Sequence, residues 1–444
     1  MVPMPRPSRT SLLALAALAL LACASAPTNE DDGPTTPGAP RRQAIPVLPG
    51  ISVLVRDSLQ LLAGKKVGLL TNQTGIDEDG VSDIDRLTAA QKDPRAAGMK
   101  LTVLFSPEHG IRGTEDRTGI ANGIDSKSGL PIVSLYGRTV LPPPDSALDS
   151  LGALLIDLQD LGARPWTYVA SMVYAVRAAG QHHLPVFVLD RPNPITGEIY
   201  EGPVLDSAFA WAGSGSPEHP AQPTALYPIP LRHGMTMGEL ALFYNDALQL
   251  GADLHVIQVQ GWRRRMWFDQ TKLPWVNPSP NITSLNAATL YAGMVILESA
   301  NVSVGRGTPY PFQWVAAPWM DAKKVKDLLD DRQISGVRFS LETLTPDHPG
   351  DSRYGGRKMT GIRITVRNRN ALQTTRLAAV LLWCISQVNK DSLKVDSSSF
   401  VHLFGVPNVR EKLRAGQEPE EIVDATLPAV VAFRQRAQRF FLYK

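Results

Sequence analysis

The chain has 444 residues, of which 43% are hydrophobic and 20% charged, and its 45 lysines and arginines nearly balance 42 aspartates and glutamates. This length and composition are typical of a globular protein with room for two domains and a large core. The near balance of charge, with no basic run carrying interleaved aromatic residues, argues against a nucleic-acid-binding protein, and we expect no nucleic-acid partner.

The first 22 residues have the pattern of a bacterial export signal. Arg6 and Arg9 precede an apolar run over residues 12–22, which is too short to span a bilayer but has the length of a signal-peptide core. The run ends in LLAC at residues 20–23, which resembles a lipobox, where an exported lipoprotein is cleaved and acylated. We expect a lipoprotein signal peptide over 1–22, lipidation at Cys23 and a lipid-anchored location in the cell envelope. The alternative is ordinary cleavage after an alanine.

The segment that follows has few large apolar residues. Residues 23–50 are rich in Pro, Thr, Gly and Asp, which predicts a disordered tether, and folded sequence is expected from Ile51 onward. One other cysteine, Cys384, lies inside the apolar run 377–388. Because a lipidated Cys23 cannot pair with it, we expect Cys384 to be a small buried hydrophobic residue, and metal sites built on cysteine are excluded.

Strand and helix patterns alternate along the next part of the chain. Apolar runs typical of strands are found at 65–70, 101–105, 131–135, 153–158, 185–189 and 254–259. Helical spacing of apolar residues is found at 82–92, 169–181 and 240–248. Since most of the strand runs are continuously apolar and are followed by a polar loop with Gly or Pro, they predict a buried, mostly parallel sheet. We therefore expect an α/β fold with a Rossmann-like catalytic domain over residues 51–262.

The character of the sequence changes around residue 262. A stretch rich in Trp, Pro and Asn runs from 273 to 281, and helix and strand patterns then alternate again. We predict a smaller α/β domain over residues 263–444 that completes a cleft with the first. Its predicted helices are 288–298, 321–329 and 377–388, and its predicted strands are 337–341 and 361–366.

The loop after the 101–105 strand groups several reactive side chains closely. Glu108, His109 and Arg112 place a carboxylate, an imidazole and a guanidinium within five positions, beside two glycines that let backbone approach a ligand. Open α/β sheets bind ligands at the carboxyl ends of their strands. The grouping suits acid–base chemistry on an uncharged polar substrate that carries an anionic group. A solvated loop in which Glu108 caps a helix explains it equally well.

Loops after the other strands bring further polar and aromatic residues to the same edge. Carboxylates beside aromatic faces suit a sugar, whose glycosidic bond needs a proton donor, and surplus arginines indicate a substrate carboxylate. For Asp160 and Arg164, four positions apart, a surface ion pair or a core hydrogen bond explains the spacing at least as well. No G-x-S-x-G, H-E-x-x-H or P-loop motif occurs, and we expect no cofactor and no metal site. The edge residues are Glu108, Asp160, Asp190, Arg112, Arg164, Arg191, Arg306, His109, His233, Tyr136, Trp166, Tyr168, Trp275 and Trp319.

A family resemblance covers residues 51–444. It is carried in order by TNQTG, SPEHGIRG, SLYG, DLQDLGAR, DRPNPITG, HGMTMGELA, PWVNPSPN, NVSVGRGT and the final FFLY, which resemble the NamZ-type exo-β-N-acetylmuramidases. The resemblance implies release of terminal N-acetylmuramic acid from the non-reducing end of peptidoglycan fragments, such as muropeptides or MurNAc-GlcNAc. It also implies a site in the cleft between two domains. The family's catalytic glutamate falls on Glu108 and its functional tyrosine on Tyr136.

These observations give one main hypothesis and two alternatives. In the main hypothesis Glu108 is the general acid, Tyr136 assists charge or water at the anomeric centre, and Asp190 is a candidate second carboxylate. The alternatives are a non-catalytic peptidoglycan-binding lipoprotein and a metal-dependent hydrolase that uses the histidines and carboxylates. The substrate-binding candidates are Arg112, Arg164 and Arg306 for the lactyl carboxylate, Asn72, His109, Asn193 and His233 for hydroxyls or the acetamido group, and Tyr168 and Arg191 beside them.

Overall fold

A seven-stranded sheet organises the first half of the chain. The structure, a computed structural model, describes residues 45–138, 140–210 and 223–444. The strands are β1 Lys66–Thr71, β2 Lys100–Ser106, β3 Gly123–Ile124, β4 Pro131–Ser134, β5 Ala153–Asp157, β6 Val186–Leu189 and β7 Leu254–Ile257. Their order is β3-β4-β2-β1-β5-β6-β7, and all neighbours are parallel except β3, which runs antiparallel to β4.

Helices cover this sheet and explain its apolar sequence. Every residue of β5 and of β6 is buried, as expected for parallel strands packed on both faces. The predicted Rossmann-like, mostly parallel α/β fold is confirmed. The helices of this half are α1 Gly50–Val53, α2 Asp83–Ala90, α3 Asp145–Leu148, α4 Thr167–Gln181 and α5 Met237–Ala247.

The second half is mainly helical and carries a small antiparallel sheet. Its strands are β8 Trp314–Val315, β9 Val337–Leu344 and β10 Met359–Val366, in the order β8-β10-β9. Its helices are α6 Phe268–Thr271, α7 Leu285–Met294, α8 Ala322–Asp331, α9 Thr374–Val388, α10 Ser397–Phe404, α11 Val409–Arg414, α12 Pro419–Asp424 and α13 Leu427–Ala437. Short 3₁₀ turns lie at Leu59–Leu62, Pro94–Ala96, Ser207–Phe209, Val295–Ser299 and Gln438–Phe440.

One hydrophobic core runs through both halves. It includes Met172 of α4, Leu290 of α7, Leu381 of α9 and Phe433 of α13, all fully buried. Residues 45–444 form one compact unit, so no break in packing marks the proposed boundary at residue 262, and that boundary stays a prediction. Cys384 is buried in this core with its thiol free, as expected.

The folded part begins slightly before the predicted start. The backbones of Leu48 and Gln260 exchange two 3.0 Å hydrogen bonds, the Gly50 N–H donates to Asp190 O at 2.8 Å, and Val47 is buried. The last few residues of the predicted tether therefore belong to the fold. The predicted signal peptide, Cys23 and the tether up to residue 44 lie outside the described residues. Within the described ranges, no helix combines the length and apolar character that crossing a bilayer requires.

Candidate active site

The Glu108 carboxylate, in the loop after β2, accepts a hydrogen bond on each of its oxygens. Tyr136 Oη donates to Oε1 at 2.7 Å, and Thr167 Oγ1 donates to Oε2 at 2.5 Å. Tyr136 follows β4, and Thr167 begins α4 after β5, so the carboxyl ends of three strands in one sheet assemble this group. Glu108 is half-buried and caps no helix among the residues described, so the helix-capping alternative does not hold.

The protonation of Tyr136 follows from its surroundings. Burial, and then the charge of Glu108, raise the pKa of Tyr136 far above its ordinary value of 10. The phenol therefore stays neutral at physiological pH and serves as a hydrogen-bond partner of Glu108. Because a hydroxyl can rotate, Tyr136 and Thr167 can donate to the ionised carboxylate, and one of them can accept when Glu108 is protonated.

The loop between Glu108 and Arg112 is held in place by the side chains of His109 and Arg112. His109 and Gly110 have φ of 70° and 74°, a left-handed turn that is unusual for histidine. The Nδ1 atom of His109 lies 2.6 Å from Glu115 O, and since a carbonyl only accepts, Nδ1 carries the proton. Arg112 forms an ion pair with Asp125, with 54% of the arginine side chain exposed. His109 and Arg112 are therefore adjacent to Glu108 in one fixed loop.

The loop after β1 meets the Pro- and Asn-rich stretch near Glu108. Tyr168 Oη donates to Pro278 O at 2.5 Å, and Gln73 Nε2 donates to Asn277 O at 2.9 Å. Asn72 Oδ1 accepts from the backbone N–H of Thr74 at 3.0 Å. Burial, and then the nearby charge of Glu108, raise the pKa of Tyr168, while the amides of Asn72 and Gln73 beside its hydroxyl oppose this. The predicted residues Asn72 and Tyr168 thus lie on the Glu108 side of the molecule.

Three residues near Glu108 are absent from the sequence prediction. Thr167 binds the carboxylate directly. Asn281 Nδ2 donates to Asp116 Oδ2 at 3.0 Å, and the charge of Asp116 contributes to the raised pKa of Tyr136. Two adjacent carboxylates, Glu115 and Asp116, follow Glu108 in the same loop and were a usable signal for Asp116. Asn281 lies in the PWVNPSPN run, which is one of the runs that resemble the family. Thr167 had no such signal, because a threonine at the start of a helix is common for structural reasons alone.

Arg306 lies close enough to Asp116 to interact with its charge and is already in an ion pair with Glu298. Its guanidinium forms a 2.7 Å ion pair with Glu298, and 19% of its side chain is exposed. Burial lowers the pKa of Arg306, but the charges of Glu298, Asp116 and Asp351 outweigh this and raise it overall. The guanidinium is therefore a permanent cation with carboxylates around it.

Asp190 lies inside the protein and not at the candidate site, so the expectation that it is a second catalytic carboxylate is wrong. It is fully buried, and Thr236 Oγ1, the Gly238 N–H and Tyr443 Oη donate to its oxygens at 2.7, 2.8 and 2.5 Å. Burial raises its pKa to about 6. Since protein donors satisfy both oxygens and neither faces a cleft, Asp190 holds the loop after β6 in place.

Arg164 also has structural partners in place of a substrate carboxylate. Its Nη1 donates to Pro203 O and Ile229 O at 2.9 and 3.1 Å, and its Nη2 donates to Leu403 O at 2.7 Å. Burial lowers its pKa to about 9. Within the part of the chain that the structure describes, Arg164 and Asp160 form no ion pair with each other, but each is held by core hydrogen bonds, so the structural alternative is confirmed in that form.

Arg191 and Asn193 are likewise internal. Arg191 Nη2 donates to Asp157 Oδ2 at 3.0 Å and to Ile76 O at 2.7 Å. Asn193 Nδ2 donates to Met235 O at 2.9 Å, and its Oδ1 accepts from the Ile195 N–H. These contacts join the loop after β6 to its neighbours, and we remove both residues from the proposed substrate site.

His233 is a neutral core histidine. Its Nδ1 accepts from the Met235 N–H at 3.2 Å, so the ring proton is on Nε2, which faces Asp160 Oδ2 at 3.4 Å. Burial, and then the charges of Arg164 and Arg232, lower the pKa of His233 to about 3. Burial raises the pKa of Asp160 to about 7. Among the described residues, His, Cys, Asp and Glu side chains form no group of three or more able to hold a metal ion.

Comparisons with known proteins identify the family. The family model described as exo-β-N-acetylmuramidase NamZ, N-terminal, matches residues 67–286, and the corresponding C-terminal model matches residues 289–443. The chain belongs to the NamZ exo-β-N-acetylmuramidase family. The two NamZ models meet near residue 287, beyond the PWVNPSPN run.

Relatives of known sequence or structure agree with this assignment. The chain is 34% identical over 396 residues to the peptidoglycan β-N-acetylmuramidase NamZ of Bacillus subtilis (strain 168), covering 89% of this chain and 91% of that protein. Two crystal structures of DUF1343 family proteins from Bacteroides fragilis NCTC 9343 are also similar. One has 32% identity and a TM-score of 0.78, covering 91% of this chain and 100% of that chain. The other has 26% identity and a TM-score of 0.70, covering 90% and 99%.

Proposed function

We propose that this protein is an exo-acting glycoside hydrolase that releases terminal N-acetylmuramic acid from the non-reducing end of peptidoglycan fragments, with Glu108 as the general acid. Membership of the NamZ family and similarity to a peptidoglycan β-N-acetylmuramidase along most of the chain support the reaction and the substrate class. The observation that carries the residue assignment is the Glu108 carboxylate held between the hydroxyls of Tyr136 and Thr167.

This geometry favours proton transfer from Glu108 to the leaving group. As the bond from the anomeric carbon to the glycosidic oxygen breaks, that oxygen needs a proton, and a carboxylic acid within hydrogen-bond reach supplies it. Glu108 is then a carboxylate, and both hydroxyls can donate to it. Hydrogen bonds to the charged form stabilise that form, so Tyr136 and Thr167 favour the state that follows proton transfer.

The substrate also carries a lactyl carboxylate, which calls for a cation. Arg112 and Arg306 remain the candidates, because Arg164 is committed to main-chain carbonyls and Arg191 to Asp157. Arg112 has the more exposed side chain, 54% against 19% for Arg306. We therefore favour Arg112, with His109, Asn72 and Tyr168 near the sugar hydroxyls or acetamido group.

The decisive experiment compares the wild type with Glu108→Gln on a chromogenic N-acetylmuramic acid glycoside. We expect kcat to fall by roughly 10²–10⁴-fold, the usual contribution of a general acid, with an unchanged melting temperature. Glu115→Gln is the matched control, because Glu115 lies in the same loop and pairs with Arg117 at the surface; its activity should equal that of the wild type. Near-normal turnover by Glu108→Gln would reject the assignment. Muropeptide binding without sugar release by the wild type would instead support a non-catalytic binding protein.

We also propose that the enzyme is anchored to the membrane through a lipidated Cys23. The support is the signal-like run and the LLAC sequence at residues 20–23. Labelling with a palmitate analogue in the producing cell should mark the wild type but not Cys23→Ser, and the variant should leave the membrane fraction. Equal labelling and fractionation of the two proteins would refute the anchor.

A further inference from the structure

We infer that Asp116 is a second catalytic carboxylate of this site and that it accepts a proton or a hydrogen bond from the group that attacks the anomeric carbon. The inference rests on the proposed function. It replaces Asp190, the carboxylate favoured by the sequence, with one that the structure leaves open to a ligand.

Asp116 is fixed in position by two other segments of the chain. Asn281 Nδ2 donates to its Oδ2 at 3.0 Å. A Cβ atom added at Gly350 would lie 2.0 Å from the same oxygen, so the carboxylate packs directly on glycine backbone there. The side chain is half-buried between its own loop, the Pro- and Asn-rich stretch and the loop around residue 350.

The segment that carries Asp116 also packs against Tyr136. The Ile120 N–H donates to Tyr136 O at 3.1 Å, and the Gly119 N–H donates to Gly137 O at 2.8 Å. The charges of Glu108 and Asp116 both act on the Tyr136 phenol. Tyr136 thus binds Glu108 through its hydroxyl, and its backbone pairs with the segment that carries Asp116, so both carboxylates belong to loops that meet at Tyr136.

Asp116 differs from the other carboxylates around the site because no arginine pairs with it among the residues described. In Asp125, Arg112 binds Oδ1 and Ser128 binds Oδ2. Glu298 pairs with Arg306, and Glu115 pairs with Arg117. Within residues 45–138, 140–210 and 223–444, Asp116 forms no ion pair, and only its Oδ2 accepts a hydrogen bond. Oδ1 is therefore available to a water molecule or to the sugar.

A glycosidase that protonates its leaving group with one carboxyl also needs a second group that activates or orients the attacking group. If water attacks, its oxygen bonds to the anomeric carbon while the bond to the leaving oxygen breaks. Glu108 gives its proton to the leaving oxygen, and Asp116 takes one proton from the water.

If the 2-acetamido oxygen attacks first, Asp116 accepts a hydrogen bond from the amide N–H. Water then opens the cyclic intermediate and returns a proton to Glu108. Each route consumes one water molecule.

The test uses Asp116→Asn and Asp116→Ala in the full-length enzyme with a chromogenic N-acetylmuramic acid glycoside. Asparagine keeps the shape and can still accept from Asn281, but it loses the charge. We expect kcat to fall by roughly 100-fold or more in both variants, with unchanged melting temperatures and with Glu115→Gln as the unaffected control. Following the anomer of the wild-type product by NMR separates the routes. If both variants are impaired, inversion assigns Asp116 to the attacking water, whereas retention rules out direct attack by water and leaves the amide route of the two.

Two results would overturn it. One is near-wild-type turnover by Asp116→Asn, which would make Asp116 a structural hydrogen-bond acceptor. The other is a loss of activity that only accompanies a lowered melting temperature. Failure of the proposed function looks different, because wild type and Glu108→Gln would then release equal amounts of sugar or none. If the wild type is active, Glu108→Gln is inactive and Asp116→Asn is active, only the present inference fails.

Discussion

The hydroxyl of Tyr443 donates a 2.5 Å hydrogen bond to Oδ2 of Asp190, across 253 positions of sequence. The neighbouring Leu442 N–H donates to Glu239 Oε1 at 2.9 Å. The final segment of the chain thereby covers the loop after β6 and joins it to the start of α5. The final FFLY, one of the runs that resemble the family, therefore has a structural role, because its Tyr443 and Leu442 cover the Asp190 loop and bury it.

The first prediction concerns this contact. Tyr443→Phe should lower the free energy of unfolding by about 1.5–3 kcal/mol, because a buried carboxylate loses a donor. Since Asp190→Asn removes the charge that the donor satisfies, the two changes should be non-additive in the double variant. Urea denaturation measures the unfolding free energies, and kcat of the folded enzyme should stay unchanged. Fully additive effects, or an activity loss without destabilisation, would contradict the structural role of Asp190.

Contacts between residues that lie far apart in the sequence, such as Tyr443 and Asp190, are the features that the sequence did not predict. The β5 and β6 strands were predictable because burial on both faces leaves continuous apolar runs, whereas the two-residue strands β3 and β8 are too short to show a period. Glu108 was found because its own loop groups reactive residues. The partner of Asp190 lies 253 positions away and that of Asp116 lies 165 positions away. Local patterns place a carboxylate at the correct sheet edge but do not show which distant segment covers it.

A second prediction separates the structural arginine from the substrate candidate. Arg164→Lys should destabilise the protein by about 2–4 kcal/mol, because one ammonium cannot reach the carbonyls of Pro203, Ile229 and Leu403 that the guanidinium binds together. Its KM for a muramic acid glycoside should match that of the wild type. Arg112→Ala is the contrast, with a raised KM and little change in melting temperature. The reverse pattern would return Arg164 to the substrate site.

The third prediction is a pH dependence of stability. The pKa of Asp160 is about 7 in the folded state and near 3.8 when unfolded, so the native state binds the proton more tightly. Its contribution to stability is complete below pH 3.8 and is lost as the pH rises to 7. In Asp160→Asn this pH-dependent loss of stability disappears, because asparagine does not titrate. The variant should therefore gain on the order of 2–4 kcal/mol relative to the wild type between pH 4 and pH 8.

Two buried neighbours of Asp160 change their contribution to stability in the same pH range. His233, with a pKa of about 3, gains stability as the pH rises from 3 to 6.5, and Asp190, with a pKa of about 6, loses stability between 3.8 and 6. Both residues are present in the wild type and in Asp160→Asn, so the difference contains the titration of Asp160 together with its coupling to these two neighbours. Urea denaturation at each pH gives that difference. A constant difference across the range would show that Asp160 does not titrate in the folded protein.

The last prediction uses the close approach of Gly350 to Asp116. In Gly350→Ala the new methyl group would meet Oδ2 of Asp116 at 2.0 Å, so the carboxylate or the loop has to move. Because both segments are surface loops, we expect a small change in melting temperature but a roughly 10- to 100-fold lower kcat, the cost of displacing a reacting group by about 1 Å. Gly123→Ala is the matched control, since a Cβ atom there meets nothing within 4 Å. If Gly350→Ala turns over like the control, the position of Asp116 does not matter to the reaction, and Asp116 is not a catalytic carboxylate.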